Sequence, residues 1–294
     1  MTNGVRPRLD RIVIGMDFGE PALAAATWVA EDFAPEAELV LVHALGLEPA
    51  PLGAPLREMT ESVATVAREF GTERLRRVAA GLGRNARVEV RDGRPAPIIA
   101  EVAHACGADL IVVGPHGGRA DRPRGIGSTA ERLVRMSSIP VLVATEAPSG
   151  RPERLLVPVD DVELTAAVLE WAALLMRRDG AAVTLAHVVT APSAVAAGEA
   201  WLAGLARDIR DAGRVAVEVT VGAPGAAIAA AARRLSADLI VMGRRGQGRV
   251  FPGEVGSTVS EVLRGATCPV LLVTDAADAI LDEWGTETER ADVP

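Results

Sequence analysis

Asp109-Leu110-Ile111-Val112-Val113-Gly114-Pro115-His116-Gly117, with Gly127-Ser128-Thr129 after nine further residues, is written a second time in this chain. The second copy is Asp238-Leu239-Ile240-Val241-Met242-Gly243-Arg244-Arg245-Gly246, with Gly256-Ser257-Thr258 after the same interval. The offset is 129 residues for both glycines, 114 to 243 and 127 to 256. Each copy reads as a buried strand, a Gly-x2-Gly turn and a Gly-Ser-Thr that opens a helix. One match would be weak evidence in a chain with 29 glycines, but two in register behind the same Asp-Leu-Ile-Val run mark an internal duplication. Glycines let the backbone take φ > 0 and approach a ligand with no Cβ in the way. A helix start then presents N–H groups, hydroxyls and a positive dipole end, which together make an anion cradle.

Outward from these motifs, apolar runs of strand length occupy 11–16, 38–43, 110–113 and 140–143, residues 87–91 alternate as a strand, and helical periodicity covers 21–33, 54–82, 97–103 and 128–136. The second repeat retells the order with strands at 155–159, 183–188, 215–219, 239–242 and 269–273. Near-continuous apolar strands alternating with helices predict parallel sheets covered on both faces, an α/β fold in two tandem domains. The expected domains are 1–147 and 148–294, the second with a core of about 152–275 and an acidic tail, mobile or a short helix around 279–284. Early strands lie 143 residues apart (Asp17 to Asp160) and late ones 129, so about one helix-length of chain is missing between the second and third strands of repeat two. Pro158 falls inside a central strand and predicts a distortion at that strand's end.

Composition excludes several classes. A net charge of −8 argues against general nucleic-acid binding. The absence of tyrosine and 3% aromatic content argue against base-stacking platforms. No apolar run reaches the ~18 residues of a membrane span, and the chain starts without an apolar leader. Cys106 and Cys268 stand in unrelated contexts and read as small buried hydrophobes of a reducing cytoplasm. No lysine occurs, which rules out a Walker loop, a kinase strand lysine and Schiff-base chemistry. Phosphate contacts must therefore come from backbone N–H groups, hydroxyls or arginine, with Arg119, Arg122 and Arg124 near the first motif.

In an open parallel sheet, ligands sit beyond the carboxyl ends of the strands where the winding reverses. If the fourth strand lies beside the first, Asp17 and Gly114 flank one crevice, Asp160 and Gly243 the other. A carboxylate repels phosphates, so Asp17 and Asp160 are expected to face the far end of a nucleotide and accept ribose hydroxyls. Ser128 and Thr258 can also cap their helices, since Glu131 and Glu261 stand three residues on. His43 and His187 end equivalent strands and read as polar residues held by a local hydrogen bond, whereas His116 lies within the glycine loop, solvated or against a phosphate. Pro115 removes an N–H where repeat two offers Arg244, so repeat one is expected to bind more weakly. Trp28 and Trp171, at matching helix positions, read as packing residues.

These residues resemble the universal stress proteins in a tandem form, and Gly-x2-Gly-x9-Gly-Ser/Thr is similar to the pattern of that family's ATP-binding branch. The resemblance covers roughly 9–147 and 152–275. It implies a doubly wound, Rossmann-like five-stranded parallel sheet in each domain, strand order 3-2-1-4-5, with ATP, ADP or AMP at the switch point, with or without Mg²⁺. By it, Asp17 and Asp160 face the adenosine, and backbone near His43 and His187 lines the adenine pocket. Gly114, Gly117, Gly127, Ser128 and Thr129, with Gly243, Arg244, Gly246, Gly256, Ser257 and Thr258, hold phosphates. It further implies edge-to-edge pairing of the domains through 141–143 and 270–273, and a capacity to form homodimers. Asp17-Phe18-Gly19-Glu20 and Asp160-Asp161-Val162-Glu163 depart from the family's Asp-Gly-Ser after the first strand. The expected function is a cytoplasmic, nucleotide-responsive regulator of stress or dormancy, read by a protein partner, with no catalytic residue and no protein metal-ligand set. The alternatives are a slow Mg²⁺-dependent ATPase and a vestigial scaffold. A dinucleotide dehydrogenase is disfavoured because no G-x-G-x-x-G follows either first strand, and an ATP pyrophosphatase because its Ser-Gly-Gly-rich loop is absent.

Overall fold

Alternation of side chains along each strand sends Ile12, Ile14, Leu39 and Leu41 to one face of a sheet and Val13, Val40 and Val42 to the other, and both sets are buried. The computed structural model describes residues 7–46, 54–117, 126–145, 150–160, 164–244 and 256–274. The first domain runs β1 (Arg11–Gly15), α1 (Glu20–Trp28, continued by a π-helical turn Val29–Phe33), β2 (Glu38–Ala44), α2 (Ala54–Gly81), β3 (Arg87–Arg91), α3 (Pro95–Cys106), β4 (Leu110–Val113), α4 (Ser128–Met136) and β5 (Val141–Val143). The second runs β6 (Arg154–Pro158), α5 (Leu164–Asp179), β7 (Ala182–Val189), α6 (Val195–Ile209), β8 (Val215–Val221), α7 (Pro224–Arg234), β9 (Leu239–Gly243), α8 (Ser257–Gly265) and β10 (Val270–Val273).

Within each domain the strands are parallel in the order 3-2-1-4-5, as expected, and the fourth strand does lie beside the first. The two sheets join through an antiparallel pair, β5 with β10, in the register Val141↔Leu272, Leu142↔Leu271 and Val143↔Val270. One ten-stranded sheet results, and each of its faces carries one hydrophobic cluster that runs through both domains. Reciprocal hydrogen bonds lock the seam: Thr145 Oγ1 donates to the Cys268 carbonyl (2.5 Å) and Thr274 Oγ1 to the Ser138 carbonyl (2.7 Å). Trp28 does more than pack, since its Nε1 donates to the Gly150 carbonyl at 2.9 Å and ties the start of the second domain to α1. Trp171 is buried as expected.

The deficit of chain expected between the second and third strands of the second domain falls in the helix that connects them. That helix has 15 residues in α6 against 28 in α2. Pro158 ends β6, and the β6–β9 register covers only Leu155↔Leu239 and Leu156↔Ile240, where β1–β4 has three pairs. A proline cannot donate the ladder bond there, so the crevice mouth opens one residue earlier. The acidic tail, the helix considered around 279–284 and most of the linker lie outside the described residues. No described helix is long and apolar enough to cross a membrane.

The aspartate that opens each repeated motif has a role that strand periodicity does not reveal. Asp109 Oδ2 accepts the N–H groups of Asp10 (2.8 Å) and Arg11 (2.9 Å), stapling the start of β4 to that of β1. Asp238 does the same with Glu153 (3.1 Å) and Arg154 (2.9 Å), and its Oδ1 accepts from Arg154 Nη2 at 2.8 Å. Burial alone pushes the Asp238 carboxyl up, but the Arg154 guanidinium and the two backbone N–H groups together outweigh burial and hold it below the ordinary carboxylate range.

Leu271 is fully buried at the seam, whereas Val63 on α2 is 60% exposed. Leu271→Ala is expected to cost about 3 kcal/mol in denaturant unfolding and Val63→Ala close to nothing. A carboxyl whose folded pKa is depressed stabilises the fold above its unfolded value and loses that contribution as pH falls through the folded one. Asp238→Asn is therefore less stable than the native chain at pH 6, and thermal melts should show the difference shrinking below about pH 4. A difference unchanged down to acid pH would remove the staple's ionic character.

Candidate functional site

Two crevices open at the carboxyl ends of the strands where the winding reverses, one between β1 and β4 and one between β6 and β9. The first has a volume of about 590 Å³ and is lined by Asp17, His43, Gly114, His116, Gly117, Gly127, Ser128 and Thr129, among others. The second, about 500 Å³, is lined by Asp160, His187, Gly243, Gly256, Ser257 and Thr258. Both volumes fall within the range of small-molecule sites. Thirteen of the fifteen residues singled out from the sequence thus converge in two equivalent places. Gly246 lies outside the described residues, as do Arg119, Arg122, Arg124 and Asp161.

The structure does not bring Arg244 to the pocket. Its side chain is 2% exposed and turns across the seam, where Nη1 donates to the carbonyls of Ser137 (2.8 Å), Arg135 (3.2 Å) and Val134 (3.3 Å). Its backbone N–H is used as well, donating to the Val273 carbonyl at 3.0 Å and extending β9 by one residue relative to β4. The expected advantage of repeat two over Pro115 therefore has no basis in this N–H.

The glycines act through close approach and not through φ. Among the described residues, Gly114, Gly117, Gly127, Gly243 and Gly256 are all absent from the positive-φ region. A Cβ on Gly127 would sit 2.9 Å from His116 Cα, and the Gly127 N–H donates to the Pro115 carbonyl at 2.6 Å, so only glycine closes this loop. A Cβ on Gly114 would meet the backbone nitrogen of Ala22 at 3.3 Å, where α1 begins. Gly127 and Gly256 are the N-cap residues of α4 and α8, with φ of −71° and −57°. Neither helix start carries a side-chain cap, and Glu131 pairs with Arg135 at 3.0 Å instead of reaching back. Ser128, Thr129, Ser257 and Thr258 occupy the first helical turn, so their N–H groups have no intrahelical acceptor. The capping box read from Ser128 and Thr258 does not form.

Asp17 is exposed at the end of β1. Its Oδ1 accepts the Gly19 N–H at 2.8 Å, and its Oδ2 would lie 3.2 Å from a Cβ on Gly117. The carboxylate thus sits beside the second glycine of the motif. Asp160 holds the equivalent position, and Thr165 Oγ1 donates to its carbonyl.

Both histidines follow the simpler expectation. His43 Nδ1 bonds the Met16 carbonyl at 2.7 Å and His187 Nδ1 that of Val159 at 3.0 Å, fixing the strand end just before each aspartate. The rings are walled differently. His43 meets Phe18 at 4.6 Å, with the Arg74 guanidinium 4.0 Å over the Phe18 ring, while His187 meets Trp201 of α6 at 4.9 Å. Phe18 holds φ of +64°, strained for a residue with a Cβ and costing roughly 1 kcal/mol or more. Phe18, Arg74 and Trp201 were not foreseen as site residues. The signal for Phe18 was its place in the stretch that departs from the family pattern, whereas the other two sit in ordinary helical periodicity.

Chemically, each crevice offers uncapped N–H groups, two hydroxyls and a helix dipole at one side and apolar strand backbone with a histidine at the other. One carboxylate stands between. Among the described residues no group of three or more His, Cys, Asp or Glu is placed to hold a metal ion.

The comparisons agree with this geometry. The sequence pattern of the universal stress protein family matches residues 8–145 and again 152–274. A universal stress protein of Methanocaldococcus jannaschii is 32% identical over 139 residues, covering 45% of this chain and 80% of its own. A universal stress protein structure from Archaeoglobus fulgidus superposes with a TM-score of 0.69 at 21% identity, over 92% of this chain and 98% of its own. A Pseudomonas aeruginosa protein of unknown function does so at 0.63 and 17% identity, over 95% and 98%. With two matched segments that between them span nearly the whole chain, this protein belongs to the universal stress protein family.

Proposed function

We propose that the chain is an ATP-binding member of its family, with one adenine-nucleotide site per domain, acting as a nucleotide-responsive regulator and not as an efficient enzyme. The observation that carries this reading is the doubled helix start: Gly127 and Gly256 cap without a side-chain bond, and two hydroxyl residues follow each of them in a concave, strand-lined pocket. N–H groups left unpaired at a helix start are a ready anion site, and a Cβ at Gly127 would fill the loop that closes over it. In this reading Gly114, Gly117, Gly127, Ser128 and Thr129 hold the phosphates in one domain and Gly243, Gly246, Gly256, Ser257 and Thr258 in the other. The strand backbone near His43 and His187 takes the adenine. Adenosine 5′-phosphates differ in charge at the cradle, so ATP, ADP and AMP would be graded by it.

The aspartates give the reading its ionic detail. Negative charge at Asp17 beside Gly117 would oppose a phosphate; the Asp17 carboxylate and the hydroxyls of Ser128 and Thr129 would hold a Mg²⁺ bound with the nucleotide, and its charge would offset that repulsion. A protein partner that distinguishes the filled from the empty state, and homodimer formation, complete the regulator reading.

Freshly purified protein, denatured and analysed by chromatography, is expected to release close to one or two molecules of ATP or ADP per chain. Gly127→Val and Gly256→Val together should abolish this, while Ser257→Ala with Thr258→Ala should weaken the second site roughly tenfold. No released nucleotide and no heat on titrating ATP–Mg²⁺ into the apo protein would leave a structural two-domain module instead. In the Gly256→Val background, Asp17→Asn should narrow the gap between ATP affinities with Mg²⁺ and with a chelator by roughly tenfold. An unchanged gap would place the cation elsewhere.

A further inference from the structure

We propose that Arg244 couples the two pockets, so that filling one changes the affinity of the other. This rests on the nucleotide reading above. The sheet's geometry sets up the contact. Strands run parallel within each domain and antiparallel across the β5–β10 seam, so the carboxyl ends of the two domains point to opposite ends of the sheet. Helix α4 starts at the first pocket, with Ser128 and Thr129 in its lining, and runs back to the end where the second pocket opens. Nine residues at 1.5 Å each make it about 13 Å long. Arg244 stands where that helix arrives.

Its backbone follows Gly243, which lines the second pocket, and its carbonyl lies 3.9 Å from the Cβ position of Gly256, the N-cap of α8. Its guanidinium is buried against the carbonyls of Val134, Arg135 and Ser137, the exit of α4. A cation there satisfies carbonyls that have no helical donor and complements the negative end of the dipole. The neighbouring backbone is also fixed, since Ser137 Oγ donates to the Ile139 carbonyl at 2.7 Å and Thr274 to that of Ser138. One residue therefore joins the loop of the second pocket to the rigid element whose other end closes the first. A ligand that repositions the strand end at Gly243 moves the guanidinium, and α4 transmits that shift to Ser128 and Thr129. By thermodynamic linkage the effect on affinity is equal in both directions. The residue at this position in the first domain is Pro115, which has neither guanidinium nor N–H, so α8 receives no matching contact from it.

The test is calorimetric titration of ATP–Mg²⁺ into the full chain, its Gly127→Val and Gly256→Val single-site forms, and each of these with Arg244→Met. The native chain should show two affinities that differ from those of the single-site forms by several-fold, within the usual 5- to 150-fold span of coupling. With Arg244→Met the two sites should bind independently, matching the single-site values. Coupling that survives Arg244→Met, or is absent from the native chain while both sites bind, overturns the proposal. Absence of binding at both sites sinks the nucleotide reading itself. If Arg244→Met does not fold, hydrogen exchange in Gly127→Val protein decides. Adding ATP–Mg²⁺, which then reaches only the second pocket, should change protection at the last turn of α4, and unchanged exchange there refutes the coupling.

Discussion

Three residue pairs of antiparallel strand, β5 against β10, turn two five-stranded sheets into one structure. In a doubly wound sheet the last strand would otherwise be an edge, with unpaired backbone donors and acceptors flanked by fully apolar side chains. Here Leu142 and Leu271 face one another with no solvent exposure and carry one cluster across the seam, while Val141, Val143, Val270 and Leu272 carry the other on the opposite face. The seam also aligns everything that depends on direction. Because it reverses strand polarity, the two crevices open at opposite ends of the sheet, and α4, which begins at the first crevice, ends against Arg244 beside the second.

The pockets follow from topology and from what the helix starts lack. A parallel sheet with the first and fourth strands adjacent leaves a cleft at their carboxyl ends. The chain places glycine at the cap and hydroxyl residues just inside, so that each helix enters with its donors unspent. The architecture around these donors differs in detail between the domains: Phe18 and Arg74 wall the histidine in one, Trp201 in the other, and Pro158 shortens a ladder in the second domain only.

Most of this arrangement was legible in the chain itself. The sequence pattern named the ten strands to within a residue or two: inner strands buried on both faces leave an uninterrupted apolar signal, and the edge strand β3 shows by alternation. The doubled motif located both crevices, and the resemblance to a family supplied the strand order and the pairing through the last strands. What escaped reading depends on direction and distance. A repeated spacing cannot tell that Gly127 is required by His116 Cα at 2.9 Å and not by a positive φ. Nor can it tell that the Arg244 side chain leaves its own loop for a helix 107 to 110 residues away in the chain. The deficit of chain read in the second repeat falls within one helix, which packs on β7 and β8 at 15 residues against 28 in α2.

Two identical halves that met as separate molecules would make every contact twice, related by a two-fold axis. Here Thr145 and Thr274, at equivalent positions, both bond across the seam, but to carbonyls one residue out of equivalence, Cys268 and Ser138. Arg244 and Pro115 occupy equivalent positions in the two halves and do different things. No symmetric pair of identical subunits can hold such a contact on one side alone. Joining the halves in a single chain lifts that obligation, and each copy is free to drift on its own. Covalent tethering thus does more than raise local concentration: it lets twins carry different residues at equivalent positions, as Arg244 and Pro115 do.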